Sequence, residues 1–155
     1  MSIFNKVMLL YGGVSAEREI SIITSKEISR ALVRLGYEVI EIDADLDLSG
    51  HISEHKPDVI FNGLHGTWGE DGEVQKILEL NNVPYTHSGI KASQLAMDKH
   101  KSAELFIKNN FNYPITNLVN INNINEHVFP EYPFVIKPRN EGSSVGVGII
   151  RNQEE

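Results

Sequence analysis

Lys137 stands at the end of the apolar run FVIK (134–137), and the residues PRNEGSSVGVG follow it. An ammonium at a strand end beside a glycine-serine loop offers a point charge, two hydroxyls and flexible backbone N–H donors. Triphosphate oxygens are bound by such a set, and a mobile loop can also exclude water from it. Pro138 keeps the backbone after the lysine from pairing normally. The lysine precedes the glycines, so this is not the G-x-x-x-x-G-K-[ST] phosphate loop. A plain hairpin turn accounts for the same residues.

Three further stretches carry groups that could do chemistry. YGGVSAERE (11–19) places two glycines at a strand end before a helix, where free backbone N–H groups favour an anion. Its spacing is not that of the dinucleotide fingerprint. Glu17 could hold a substrate ammonium there, or could simply complement the helix dipole. GLHGTWGEDG (63–72) gathers four glycines with His65, Glu70 and Asp71. So much glycine in one loop is expected where backbone must come close to something. Capping and the dipole account for Glu70 and Asp71 at the start of the next helix. Lacking H-E-x-x-H or a second histidine at ligand spacing, the loop is not read as a metal site. DADLDLSGHISE (43–54) sets Asp43, Asp45, Asp47 and Glu54 at calcium-loop positions, but Leu48 occupies the glycine turn and a strand precedes it. It is read as a solvated loop.

The elements that must position these groups alternate. Val7–Tyr11 is a continuous apolar run, predicted as a strand buried on both faces. A helix follows with Ser15 as its cap, Gly36 as its stop, and Ile28, Ala31, Leu32 and Leu35 as the stripe facing the sheet. YEVIEID (37–43) and DVIFNGL (58–64) read as strands, DGEVQKILELNN (71–82) as a helix, VPYTH (83–87) as a short fourth strand, and 91–96 as a short helix. This predicts an α/β fold, a doubly wound parallel sheet with its functional groups at the carboxyl ends of the strands. After Met97 the rhythm changes to a helix (99–110), a strand YPITNLV (113–119) and two antiparallel strands around the lysine loop. Residues 1–96 are thus expected to form one domain and 97–155 the beginning of a second, too short to own a core and expected to expose apolar surface.

Fourteen basic against 21 acidic residues give a net charge of −7, which is not the footprint of a nucleic-acid binder. No cysteine is present, which excludes disulfides, thiolate metal sites and a cysteine nucleophile. The apolar start is far shorter than the ~20 residues of a membrane span. No membrane association and a cytoplasmic location are expected.

Taken in order, YGGVSAERE, LHGTWGEDG, LAMDKHKS and FVIKPRNEGSSVGVG closely resemble the D-alanine–D-alanine ligases of the ATP-grasp superfamily, over essentially all 155 residues. The resemblance implies a Rossmann-like domain followed by the start of an ATP-grasp α+β domain. It implies that ATP phosphorylates the carboxylate of one D-alanine, that the amine of a second attacks the acyl phosphate, and that Mg²⁺ assists. By the same resemblance Glu17 holds the first substrate's ammonium and His65 lines that pocket. Lys99 and Lys137 hold ATP phosphates, and Ser143 closes the site, with Glu141, Gly142 and Ser144 around it. The Mg²⁺ ligands and the oxyanion-stabilising arginine of the family would lie beyond residue 155. The 155 residues alone are therefore expected to be inactive, with no metal ligand among them, and to form a homodimer through the first domain. A non-catalytic dimerising or ligand-binding module, or an ATP-grasp ligase of different amino- or hydroxy-acid specificity, stays open. One departure from the family is His87, in YTHSG, where a glycine is common.

Overall fold

The computed structural model describes residues 4–122, 124 and 131–154, and the chain divides into two compact units, Met1–Gln94 and Leu95–Glu155. In the first unit β1 (Lys6–Tyr11) is the middle strand of a three-stranded parallel sheet, flanked by β2 (Glu38–Asp43) and β3 (Val59–Asn62). Met8 faces Ile40 on one side and Ile60 on the other. A central parallel strand is covered on both faces, which is why Val7, Met8, Leu9 and Leu10 are all buried and why the sequence shows an unbroken apolar run. The α/β class with a parallel sheet is the one observed. The expected fourth strand contracts to a single parallel bridge between Ile60 and Tyr85.

The order β2-β1-β3 reverses between β1 and β3. Connections there leave the sheet in opposite directions and open a crevice at the strands' carboxyl ends. Both glycine loops of this unit start at that point.

Helix α1 (Arg18–Arg34) departs from the expected stripe. Ser21 and Ser25 are its buried residues, Ile28, Ala31 and Leu32 are half-buried, and Leu35 is 72% exposed. The cause lies at the glycine turn. Gly12 N donates to Ser21 Oγ (3.0 Å), which donates to Gly63 O (2.7 Å), so the small serines are what let the helix approach the strand ends. Ser15 does not cap the helix either. Glu17 is the N-cap residue, with no side-chain cap bond.

Helix α2 (Leu48–His55) occupies the stretch expected to be a solvated loop. Leu48 and Ile52, one turn apart, enter the same core as Met8, Leu10, Ile60 and Leu78. Apolar side chains at i and i+4 suffice to drive one face of a two-turn helix inward, and Lys56 ends it in the left-handed conformation at φ 48°. Helix α3 (Glu73–Leu80) buries Val74, Gln75 and Leu78, and α4 (Ile90–Met97) follows.

In the second unit α5 (Lys99–Lys108) precedes an antiparallel pair, β4 (Phe134–Ile136) and β5 (Gly148–Ile150), with Val135 opposite Ile149. The expected strand at 113–119 is not formed: these residues carry no regular secondary structure, and Ile115 is 94% exposed. Pro114 removes a ladder donor at its start, and no described strand pairs with it. Ala103 is the sole buried apolar residue of this unit among the described residues, while Val135, Ile136 and Ile149 are exposed. No helix among the described residues is long and apolar enough to cross a membrane.

Candidate functional site

In the first unit, Gly12 and Gly13 turn the chain off β1 at φ 71° and 77°, a region glycine enters freely. Arg18, at the start of α1, closes over them. Its Nη1 donates to Asp43 Oδ1 (2.6 Å) and Gly13 O (3.1 Å), and its Nη2 donates to Asp43 Oδ2. The hydrogen bonds from Arg18 hold the Asp43 carboxyl below the usual carboxylate range. A β-carbon at Gly12 would lie 2.2 Å from Asp43 Oδ1, so glycine is required both by the dihedral and by the ion pair.

The second glycine loop is stapled to the first. Ser15 Oγ donates to His65 O (2.7 Å) and accepts from Glu17 N (3.1 Å), so one hydroxyl fixes the backbone of both expected site residues. A β-carbon at Gly66 would lie 2.9 Å from Glu17 Oε1, which places that carboxylate against the glycine backbone between His65 and Thr67. His65 Nε2 lies 3.2 Å from Thr24 Oγ1, and His65 Nδ1 3.9 Å from Glu70 Oε1. Glu70 does not serve as a cap: its Oε2 accepts from Gly66 N (2.7 Å) and folds the loop back on itself. Asp71 accepts from Trp68 N (2.8 Å) and from Glu73 N in the first turn of α3 (3.1 Å). Buried Asn62, at the end of β3, accepts from Leu64 N (3.1 Å) and donates to Gly69 O (2.9 Å), fixing where the loop begins and where it returns. Glu17 and His65 are thus brought together at the crevice.

In the second unit Lys99, Lys137, Glu141, Gly142, Ser143 and Ser144 line one recess of about 360 Å³. All six residues expected there from the sequence share it. Val135, Val145 and Val147 give it apolar walls. Lys99 Nζ donates to Glu141 O, and Lys99 N donates to Arg139 O (3.1 Å), which fastens the start of α5 to the loop after β4. Behind this contact Arg139 grips Asp98 with two bonds, Nε to Oδ1 (2.8 Å) and Nη2 to Oδ2 (2.6 Å). Asp98 also caps α5 by accepting from Lys101 N (3.1 Å). Arg139, the cap and Lys101 together hold the Asp98 carboxyl far below the usual range. Lys137 makes no ion pair among the described residues. Ser143 and Ser144 both lie in the left-handed region, at φ 47° and 64°, a costly conformation for residues other than glycine and one often kept at ligand-binding loops.

Sequence reasoning missed the fixings Ser15, Arg18–Asp43 and Asp98–Arg139. The one local signal among them was the aspartate directly before Lys99, an N-cap type at a helix start. The arginines find their partners only through the fold.

A family sequence model described as "D-ala D-ala ligase N-terminus" matches residues 44–88. The D-alanine–D-alanine ligase of Ruegeria sp. (strain TM1040) is 49% identical over 148 residues, which cover 94% of this chain and 47% of that protein. That of Pelagibacter ubique (strain HTCC1062) is 47% identical over 152 residues, covering 93% and 49%. Over nearly its whole length the chain is similar to D-alanine–D-alanine ligases. It spans about half the length of the curated relatives it matches. A Bacillus anthracis D-alanine–D-alanine ligase crystallised with ATP superposes with a TM-score of 0.75 at 29% identity, over 96% of this chain and 50% of that one. The Helicobacter pylori D-alanine–D-alanine ligase shares the fold, with a TM-score of 0.78 at 22% identity, over 97% and 60%. The family stretch contains His65 and Glu70 but neither Glu17 nor the two lysines, which fall within the longer similarity to the individual ligases. His87, expected from the resemblance to be a departure from the family pattern, adopts φ 80°, a backbone region that glycine enters freely.

Proposed function

We propose that the whole protein joins two D-alanines at the expense of ATP through an acyl phosphate, releasing ADP, and that these residues supply its substrate-side Rossmann-like domain (1–96) and the start of its ATP-grasp domain (97–155). The observation that carries this is the recess of the second unit, where two lysines converge on a glycine-serine loop. The similarity to a ligase crystallised with ATP supports it. Lys99 and Lys137 neutralise phosphate oxygens, Glu141 and Gly142 border the nucleotide, and Ser143 and Ser144 close over it and meet the substrate. Glu17 receives the ammonium of the first D-alanine and His65 lines its pocket.

Of the residues lining the recess, Glu141 alone carries a carboxylate, and its carbonyl is already taken by Lys99. Mg²⁺ binds through carboxylates and phosphate oxygens. The described residues lining the recess do not by themselves make its site, and its ligands are proposed to lie in the part of the curated relatives' length that this chain does not span. The product serves peptidoglycan precursor synthesis in the cytoplasm, with no nucleic-acid or membrane partner. Homodimerisation through the first unit is supported by α1, where Ile20, Ile23 and Val33 stand about half or more exposed.

The test is ADP release by the complete protein with each enantiomer. D-alanine should stimulate it and L-alanine should not; equal turnover with both, or with neither, would remove the assignment. Lys137→Ala should mainly weaken the use of ATP.

A further inference from the structure

Helix α2 carries His51, Glu54 and His55 on its outer side, with one ligand atom of each within 4.8 Å of the other two. We propose that these three residues form a surface site for a divalent transition-metal ion of the Zn²⁺, Ni²⁺ or Cu²⁺ class, separate from the two sites described above. Histidines one helical turn apart point to the same side, which is how paired imidazoles take one ion. Glu54, three residues after His51 and adjacent to His55, adds a charged oxygen. Two imidazoles and a carboxylate select borderline transition ions; Mg²⁺ and Ca²⁺ require mostly oxygen.

The scaffold is already fixed, so little ordering remains for the ion to impose. Leu48 and Ile52 anchor the opposite side of α2 in the core. Lys6 Nζ donates to His55 O (3.3 Å), and Asn81 Nδ2 donates to Ser49 Oγ (2.9 Å) from the end of α3. The imidazoles are about two-thirds covered, at 30% and 32% side-chain exposure, while Glu54 is 73% exposed and free to swing inward. Asp45 lies 3.5 Å from His51 Nε2 and is itself held by accepting from Asp47 N (2.8 Å). With Asp45 on Nε2, His51 would offer Nδ1 to the ion, and the carboxylate would then orient the bound imidazole. Metal–nitrogen bonds of roughly 2.0–2.1 Å require ligand atoms closer together than 4.8 Å, so the three side chains must rotate toward the ion. Open positions on the ion face solvent, so water completes its shell.

Calorimetric titration of the 155-residue chain with ZnCl₂ tests this, with MgCl₂ and the variants His51→Ala, His55→Ala and His100→Ala beside it. Zn²⁺ should saturate at one ion per chain and Mg²⁺ should not bind. His51→Ala and His55→Ala should each weaken Zn²⁺ about tenfold or more, and His100→Ala should leave it unchanged. Circular dichroism of each variant checks folding, and Zn²⁺ should raise the melting temperature only when both histidines are present. No saturable Zn²⁺ binding, or binding as strong in either α2 variant as in the wild type, would overturn the proposal. So would equal binding of Mg²⁺.

Discussion

Replacing Asp98 tests whether one carboxylate holds the recess in shape. Its two oxygens accept from Arg139 Nε, Arg139 Nη2 and Lys101 N, and its own side chain is only 11% exposed. Asp98→Asn would keep the cap, because asparagine and aspartate cap a helix about equally, but would lose the charge that Arg139 grips. Asp98→Ala would lose both. The cap is worth about 1 kcal/mol, which is a factor of about five in local opening at 1.4 kcal/mol per decade. The Arg139 head is more than one-third exposed, so water recovers much of what it gives up, and the ion pair adds less than a fully buried one would. Hydrogen exchange read by nuclear magnetic resonance therefore separates the two roles. Protection of the Lys101 amide should fall about fivefold in Asp98→Ala and stay near wild type in Asp98→Asn. Acid supplies the second arm. The native carboxyl titrates far below its unfolded value, so its contribution is complete above the unfolded value, about pH 4. It is lost as pH falls from there through the lowered native value. Asp98→Asn should lack that share of the acid sensitivity. Equal Lys101 protection in Asp98→Ala and wild type, or identical acid profiles in wild type and Asp98→Asn, would refute the assignment.

Gly63→Ala should destabilise the first unit by about 2–3 kcal/mol in urea unfolding, because its β-carbon would lie 2.8 Å from Leu10 O and 2.6 Å from Ser25 Oγ, with backbone on one side that cannot yield. His87→Gly should stabilise by up to about 1 kcal/mol, since a left-handed non-glycine residue costs about 1–2 kcal/mol and glycine's extra chain entropy returns part of it; a loss of stability would show that the histidine's edge contact with Phe61 outweighs the strain. Tyr85, half-buried and donating to Glu79 Oε1 (2.8 Å), has its phenol pushed up to about 12 by burial first and by Glu79 second. Its native phenol stays neutral where the unfolded one ionises, so stability is complete below about pH 10 and declines from there to about 12. Ultraviolet titration of Tyr85→Phe against wild type should remove one late-ionising phenol, and removal of one that ionises near 10 would contradict the assignment.

Much of the first unit was legible because its signals were local. The apolar run at Val7–Leu10 could only be a covered strand, and glycines at 12–13 and 63–72 could only be loops. Those two facts point to a crevice at the strand ends, while the pairing of Glu17 with His65 came from the resemblance to the ligases. α2 was not legible: Asp43, Asp45 and Asp47 dominate its approach, and the case for a helix rests on Leu48 and Ile52 alone. The α1 stripe failed for a different reason. Close packing at the glycine turn selects small side chains, so Ser21 and Ser25 face inward where hydrophobicity alone points to leucines. In the second unit the lysines and the loop were visible as types in order. The expected strand at 113–119 was not realised, since a strand exists only with a neighbour to pair with, and propensity does not supply one.

The Gly12 turn also constrains how this sequence could have changed with time. A β-carbon at position 12 would fall 2.2 Å from Asp43 and 2.6 Å from Arg18, two residues that hold each other. A side chain at 12 and the pair 18–43 are therefore mutually exclusive occupants of one space. A lineage that loses the glycine must give up the pair in the same step or before it, and one that keeps the pair cannot leave glycine. Across related chains these three positions should change as a set, although 31 residues separate the first from the last.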